Sequence, residues 1–598
     1  MSNYESAAEK LAALRKVMET DKVDHLLVVS DDYHQSEYVG DFFKSRAYIS
    51  AFTGSAGTLV ISMDSAKLFT DGRYHIQAER QIAGSGIDLM RSGTEGVPTV
   101  EEYLGKLVKP GETLAFDGRC VSAKFADKLK EKLPEANFRT DTDYPALIWP
   151  NRPALPSSDI WSLGIKYAGK THSEKLAEVK KKLAEEKCAS LVMSSLCDIA
   201  WFYNLRGNDV EDTPVFLAYS IITPEHDYLF VNEKCTAEVK PVLGYEGVEI
   251  KSYDDFYKYL PELTGRVMVD KSAVNSAIVS GLSKAEIVDK QNPTLVLKAI
   301  KNDTELANIR KCHIADGLAV TKLMIELKYG DRELDEVTAD DLLWSLREEC
   351  ADKIGVTLTG KSFGTIAAFA ANAAMMHYSA KPDSAAKIDK NGENGVPMLL
   401  VDSGGHYLEG TTDITRTFVL GPVSDEVRMH YTLTAVGNLR LANLVYLDGA
   451  AGSALDVTCR EPLWEHGIDY RCGTGHGVGY LLSVHEGPNR FHWKNGDKKL
   501  EVGMVTTDEP GVYVEGSHGI RIENELVTVK GEHNEYGQFL KFENITYCPI
   551  DLDGIDTEYM EKSDIKKLND YHKMVFDTLS PYLCEHDREK LAYMTRNI

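Results

Sequence analysis

The chain has 598 residues, 43% of them hydrophobic and 27% charged, with a formal net charge of −25; it is too long for one core, and its length alone suggests about four domains. That acidic balance argues against a nucleic-acid or anionic-membrane partner, since both need basic patches, and no apolar run approaches the roughly 20 residues of a membrane span. Ten cysteines scattered singly, without a CxxC pair, and an opening MSNYESAAEK without basic or apolar leader features predict a reduced, cytoplasmic protein without a secretory signal.

Residues 6–20, SAAEKLAALRKVMET, predict an amphipathic helix, followed by a strand in HLLVVSDD. RAYISAFTGSAGTLVIS and AKLFTDGRYHIQAERQ read as strands joined by glycine turns. A similar order then returns: a helix in HSEKLAEVKKKLAEEKC, a strand in ASLVMSSL, further strands in AWFYNLRG and PVFLAYSIIT, and a closing strand in HDYLFVNEK. The pattern is a duplicated α/β unit of about 140 residues, too long a period for a solenoid. Between the copies, the prolines of YPALIWPNRPALP make a stiff boundary near residues 148–156. A long helical pattern, KAIKNDTELANIRKCHIADGLAVTKLMIELK, opens a third segment of strands and glycine turns, and EYMEKSDIKKLNDYHKMVFDTL reads as a final helix. The expected domains are therefore 1–152, 153–298 and 299–598.

The third segment carries the chemistry. Asp402 ends the apolar strand VPMLLVDSGG, and Asp413 follows eleven residues later in GTTDITRT, where Asp413, Thr415 and Thr417 share a strand face. A hairpin between them brings both carboxylates together. His476 stands among the glycines of GTGHGVG, whose spacing fits neither G-x-G-x-x-G nor the phosphate-loop pattern. Glu509 precedes a proline in TTDEPGVY and is biased to an extended conformation. Glu523 lies in GIRIENELV, with Arg521 and Glu525 on its face and Ile520 and Ile522 on the other. Taken singly, each residue reads as readily as a turn, a structural histidine or a solvated acidic face. Gathered at one point, four carboxylates and an imidazole would repel strongly unless neutralised. Two divalent cations would neutralise them, and paired metals usually serve hydrolysis.

The ordered set resembles the metal ligands of the pita-bread metallopeptidases, which include methionine aminopeptidase, prolidase and aminopeptidase P. The motifs VDSGGHYLEGTTDITRT, GTGHGVGYLLSVHEGP, TDEPGVY and GIRIEN are similar to those of the long, three-domain form of aminopeptidase P. So are SEYVGDFFKSRAYISAFTGSAGTLVI, FTDGRY, IWPNRP and WFYNLRGNDVEDTPVF, so the resemblance covers nearly the whole chain. It implies two similar creatinase-like N-terminal α/β domains followed by a C-terminal pita-bread catalytic domain. By the same resemblance Asp402 chelates one metal, Asp413 and Glu523 bridge both, and His476 and Glu509 complete the other. Oxygen-rich ligation with one imidazole suits Mn²⁺ better than Zn²⁺.

The implied reaction removes an N-terminal residue when proline follows it, from proline-containing peptides. Glu509 is the expected proton carrier. His377, in ANAAMMHYSA, is expected to bond the substrate or the developing oxyanion, and His485, in LLSVHEGP, to lie near the scissile carbonyl. Arg521 reads either as a residue orienting ligand carboxylates or as a surface ion pair. The resemblance also implies a homodimer. One departure stands out: long-form relatives commonly carry a histidine four residues before the metal histidine, and here that position is Cys472, a weak donor. The rival readings are a prolidase restricted to dipeptides and a metal-free scaffold built on the same fold.

Overall fold

The computed structural model describes residues 5–598, so the first four residues of the opening segment, and of the expected first domain, lie outside it. The strand order of the first six-stranded sheet is Asp88–Arg91, Ala66–Thr70, Thr58–Ser62, His25–Val28, Thr113–Ala115 and Asn137–Arg139. The second runs Glu249–Ser252, Asp227–Val231, Ala218–Ile222, Ser190–Met193, Gly265–Val269 and Ala285–Asp289. In each, the earliest strand pairs antiparallel with one neighbour and parallel with the other. The expected duplication is therefore visible strand by strand.

Alternation along the first strands explains their burial. Leu26 and Val28 join one apolar cluster with Leu59 and Ile61, while Leu27 and Val29 join another with Val60 and Phe69. Successive residues point to opposite faces and both sets are apolar, so both faces of the sheet are covered. The two copies meet through equivalent helix caps: Ser122 and Asn275 form a bridge, with Ala123 N–H donating to Val274 O and Ser276 N–H to Val121 O.

Three strand readings are corrected. RAYIS lies in a helix, Ser45–Ser50, HIQAERQ forms the helix His75–Gln81, and AWFYNLRG holds the end of the helix Leu196–Phe202 and only a two-residue strand, Leu205–Arg206. Aromatic and β-branched content gave these segments a strand-like look, but Ser195 caps the last of them by accepting from Asp198 N–H.

The described chain forms two compact units, residues 5–163 with 170–294, and residues 164–169 with 295–598. The second group contains the expected long helix, Asp303–Tyr329, together with helices Glu336–Ile354, Asp425–Ala442 and Gly452–Trp464, which sequence reading missed. Its tail has two helices, Lys562–Leu579 and Glu585–Met594, not one. They enclose a three-stranded sheet centred on Met398–Ser403 and a six-stranded sheet that includes Gly475–Gly477, Val505–Asp508 and Asn524–Asn534. Leu399, Val401, Phe418, Tyr431, Ile520 and Leu568 lie in the central apolar cluster. Among the described residues no helix is long and apolar enough to cross a membrane.

At the first residue of the strand His518–Arg521, two buried imidazoles touch: His430 Nδ1 lies 3.0 Å from His518 Nε2, and His518 Nδ1 lies 2.8 Å from Ser517 Oγ. Burial, and then His430, push His518 down to about 4, and burial lowers His430 against the opposing pull of Glu426. A histidine with a depressed folded pKa gives its full stabilisation above the unfolded value near 6.5 and loses it as pH falls toward the folded value. The expected contribution of His518 is up to about 3 kcal/mol between pH of about 6.5 and 4. Denaturation of wild type and H518Q across that window checks it; a stability difference that does not change with pH would reject the pair as an acid-sensitive point.

Candidate metal centre

Five strand ends converge. Asp402 pairs across the small sheet with Ile366 on one side and Thr415 on the other, and Asp413 stands one residue before the strand Ile414–Val419. His476 is the middle residue of Gly475–Gly477, beside Val505–Asp508, which Glu509 directly follows. Asp508 pairs with Asn524, so Glu523 lies next to Glu509 in the ladder. Main-chain bonds tie the halves together: Glu523 N–H donates to Thr415 O at 3.0 Å, and Glu509 N–H to Thr474 O at 2.7 Å. A Cβ at Gly475 would stand 1.9 Å from Thr507 O, so the His476 strand approaches its neighbour this closely only because the residue is glycine.

Asp413, His476 and Glu523 place ligand atoms within 4.8 Å of one another. His476 Nε2 is 3.5 Å from Asp413 Oδ2 and 3.4 Å from Glu509 Oε1. The other ring nitrogen, Nδ1, lies 3.0 Å from Gly477 O, which only accepts; with the proton on Nδ1, the Nε2 lone pair faces carboxylate oxygens, acceptor against acceptor, an arrangement that suits a cation between them. Asp402 and Glu523 share a second feature. One oxygen of each is anchored, Asp402 Oδ2 by Arg521 Nη2 at 2.5 Å and Glu523 Oε2 by Thr415 Oγ at 2.7 Å, while the other, buried, has no hydrogen-bond partner among the described residues. Asp413 is 4% exposed and Glu523 1%. Burial, then Glu523, Asp402 and Glu509, hold the Asp413 carboxyl far above the usual range; burial, then Glu509 and Asp402, do the same to Glu523. Burial lifts Glu509 to about 7. Buried carboxylates with orphaned oxygens, clustered with an imidazole nitrogen, are a donor set for cations, and the residues present fit a pair of divalent ions.

Arg521 is buried, not a surface ion pair. It donates to Asp402, to Tyr513 OH at 2.7 Å and to Thr415 Oγ at 3.2 Å. Thr415 and Thr417 lie along the strand Ile414–Val419, which Asp413 directly precedes, and Thr417 Oγ bonds both the N–H and the carbonyl of Arg521. The His485 ring stands edge-on to His476, with centroids 4.3 Å apart. His377 lies three residues beyond the turn Ala370–Ala374 and is half-buried. The Cys472 thiol, pushed up to about 12 by burial and by Glu509, is neutral and packs beside Tyr470 and Val512, with its carbonyl taken by Arg460.

Sequence reading missed the layer behind these residues. Glu525 Oε1 accepts from Asp413 N–H at 2.7 Å and lies 3.0 Å from His313 Nε2, so the long helix braces the main chain of Asp413. Its place on the face of Glu523 was the available clue. Glu486, next to His485, is buried between Lys301 at 2.7 Å and Lys298 at 3.2 Å.

Fold and site define a metallopeptidase. Residues 307–530 match Metallopeptidase family M24, and 538–598 match the C-terminal region of the M24 peptidases. Residues 10–149 and 151–305 each match a Creatinase/Prolidase N-terminal domain, which bears out the expected two α/β domains before a pita-bread domain. The chain is 36% identical to Probable Xaa-Pro aminopeptidase P of Coprinopsis cinerea, over 98% of this chain and 97% of that protein. It is 38% identical to Probable Xaa-Pro aminopeptidase P of Sordaria macrospora, over 96% of this chain and 97% of that one. The crystal structure of X-prolyl aminopeptidase from Caenorhabditis elegans, described as a cytosolic enzyme with a dinuclear active site, superposes with a TM-score of 0.93 at 28% identity, covering 100% of both chains. The chain belongs to the Xaa-Pro aminopeptidase P family of M24 metallopeptidases.

Proposed function

We propose that this chain is a metalloaminopeptidase that hydrolyses the bond between an N-terminal residue and a following proline, using two divalent metal ions. The observation that carries the reading is the convergence of Asp413, His476 and Glu523 ligand atoms, with one buried oxygen each of Asp402 and Glu523 left without a hydrogen-bond partner among the described residues. Full-length likeness to the named relatives supports the substrate class. A metal-free scaffold would have no use for a buried, mutually repelling carboxylate set.

In this reading Asp402 holds one ion, Asp413 and Glu523 hold both, and His476 and Glu509 hold the other. When bound, the ions polarise the scissile carbonyl and activate water at neutral pH. The oxygen-rich set favours manganese. The chain's own groups do the rest. An Xaa–Pro bond is a tertiary amide, without the N–H that ordinary peptidases grip, and its nitrogen must gain a proton to leave. Glu509 takes a proton from the attacking water and returns it to that nitrogen. His377 and His485 donate to the substrate carbonyl, and Arg521 keeps Asp402 oriented. The reading extends to a cytoplasmic homodimer with domain boundaries near residues 152 and 298.

The Mn²⁺-loaded protein, offered an Xaa-Pro dipeptide and an Xaa-Pro-Xaa tripeptide, is expected to cleave the tripeptide and release its first residue. Cleavage confined to the dipeptide would instead make it a prolidase. Elemental analysis of the purified protein is expected to give about two divalent ions per chain, and a metal-free preparation that retains turnover would end the metallopeptidase reading.

A further inference from the structure

Glu336 opens the helix Glu336–Ile354 and is 0% exposed. Its oxygens accept four hydrogen bonds from neutral donors: Oε1 from Phe369 N–H at 2.7 Å and Asn372 Nδ2 at 2.9 Å, Oε2 from Tyr378 OH and Ala386 N–H, both at 2.8 Å. Asn372 Nδ2 also lies 3.1 Å from Tyr378 OH. All four donors belong to the single stretch 369–386, and His377 lies inside it. Between Ala370 and Lys387 that stretch is mostly small or polar and half-exposed, so it has little apolar packing of its own to order it. One end is seated against the strand His518–Arg521: a Cβ at Gly519 would stand 1.8 Å from Ala373 O, and the last residue of that strand holds Asp402. The Glu336 carboxylate fastens both ends of the stretch and the neighbour of His377 with charge-assisted bonds, which are stronger and more directional than neutral ones.

We propose that Glu336 is a positioning residue for His377: it orders the 369–386 stretch so that the His377 imidazole reaches the substrate carbonyl, and it affects turnover only through that imidazole. This rests on the role given to His377 above. A group near the reacting atoms misplaced by about 1 Å loses on the order of a hundredfold in rate, which sets the scale of the test.

E336Q and Y378F are compared in the wild-type and H377A backgrounds of the metal-loaded enzyme, measuring kcat and KM on an Xaa-Pro-Xaa tripeptide and bound metal by elemental analysis. Gln keeps the shape but turns one acceptor into a donor facing an N–H. The expected result is a kcat lower by about ten- to a hundredfold in E336Q and by a few-fold in Y378F, with KM and metal content nearly unchanged. In the H377A background either change adds less than about twofold. Losses that multiply with that of H377A, loss of metal, or an unchanged kcat in E336Q would overturn the proposal. If E336Q does not fold, Y378F completes the cycle alone. If H377A itself turns over normally, the role given to His377 has failed, and the positioning role falls with it.

Discussion

Replacing Glu523 by glutamine is expected to abolish turnover and, at the same time, to stabilise the metal-free protein. Glutamine keeps the length of the side chain and can keep its bond with Thr415 Oγ, so the strand end it occupies need not move. What it removes is one of four carboxylates held together out of water. Glu523 is the largest charge acting on Asp413, and Glu509 and Asp402 act in turn on Glu523. Without cations, each ionised member of such a set raises the free energy of the folded state. Relief on the order of 1–3 kcal/mol is expected, a rise of a few degrees in the thermal midpoint of the metal-free catalytic unit. With Mn²⁺ the order reverses: wild type gains stability as metal saturates it and the variant gains far less. Turnover is expected to fall at least about a thousandfold, some 4 kcal/mol of barrier. Thermal scans with and without Mn²⁺, alongside tripeptide hydrolysis, check both halves. A metal-free variant less stable than wild type, or a rate within tenfold of it, would reject the charge-balance account of this centre.

The five candidate ligands were legible because each ends or borders a strand whose sequence announces itself: an apolar run stopping at Asp402, glycines on both sides of His476, a proline fixing the backbone after Glu509. Strand pairing then does what no single segment reveals, setting Asp402 opposite Thr415 and Asp508 opposite Asn524. The residues behind the ligands were not legible in the same way. Glu336 follows the cap residue Asp335 and reads as a helix-start acid favoured by the helix dipole, yet its donors come from 33 to 50 residues away. His313 lies in a buried helical stripe and gives no hint that its partner is Glu525, on a strand beside the ligands. The misread helices Ser45–Ser50 and Leu196–Phe202 are only six and seven residues long, short enough for packing to override their aromatic content. Cys472 was the one departure visible from motifs alone. Its half-buried, neutral thiol brings the site neither charge nor a strong donor.

Replacing Arg416 by methionine is expected to destabilise the catalytic unit by about 3–5 kcal/mol, because it leaves several buried acceptors unpaired at about 1–3 kcal/mol each before relaxation. Arg416 is 0% exposed and has no carboxylate among its hydrogen-bond acceptors. Its guanidinium donates to the carbonyls of Thr415, Glu523, Cys548 and Pro549, to Asn524 Oδ1 and to Tyr571 OH, at 2.6–3.1 Å. Those acceptors come from three separate parts of the chain: the strand after Asp413, the turn carrying Glu523, and the C-terminal segment with its helix Lys562–Leu579. Only a planar fork with five N–H groups reaches them all. Methionine fills much of the volume but leaves the acceptors buried and unpaired, whereas R416K keeps the charge with three donors and is expected to fall between the two. Urea midpoints at a constant slope measure the loss. The same bond to the Glu523 carbonyl links this scaffold to the metal centre, so weaker metal binding is expected to accompany lower stability in both variants. A stable R416M, within about 1 kcal/mol of wild type, would show that the acceptors find water or other donors. A destabilised one with unaltered metal affinity would show that Glu523 is held in place by Thr415 and its strand alone.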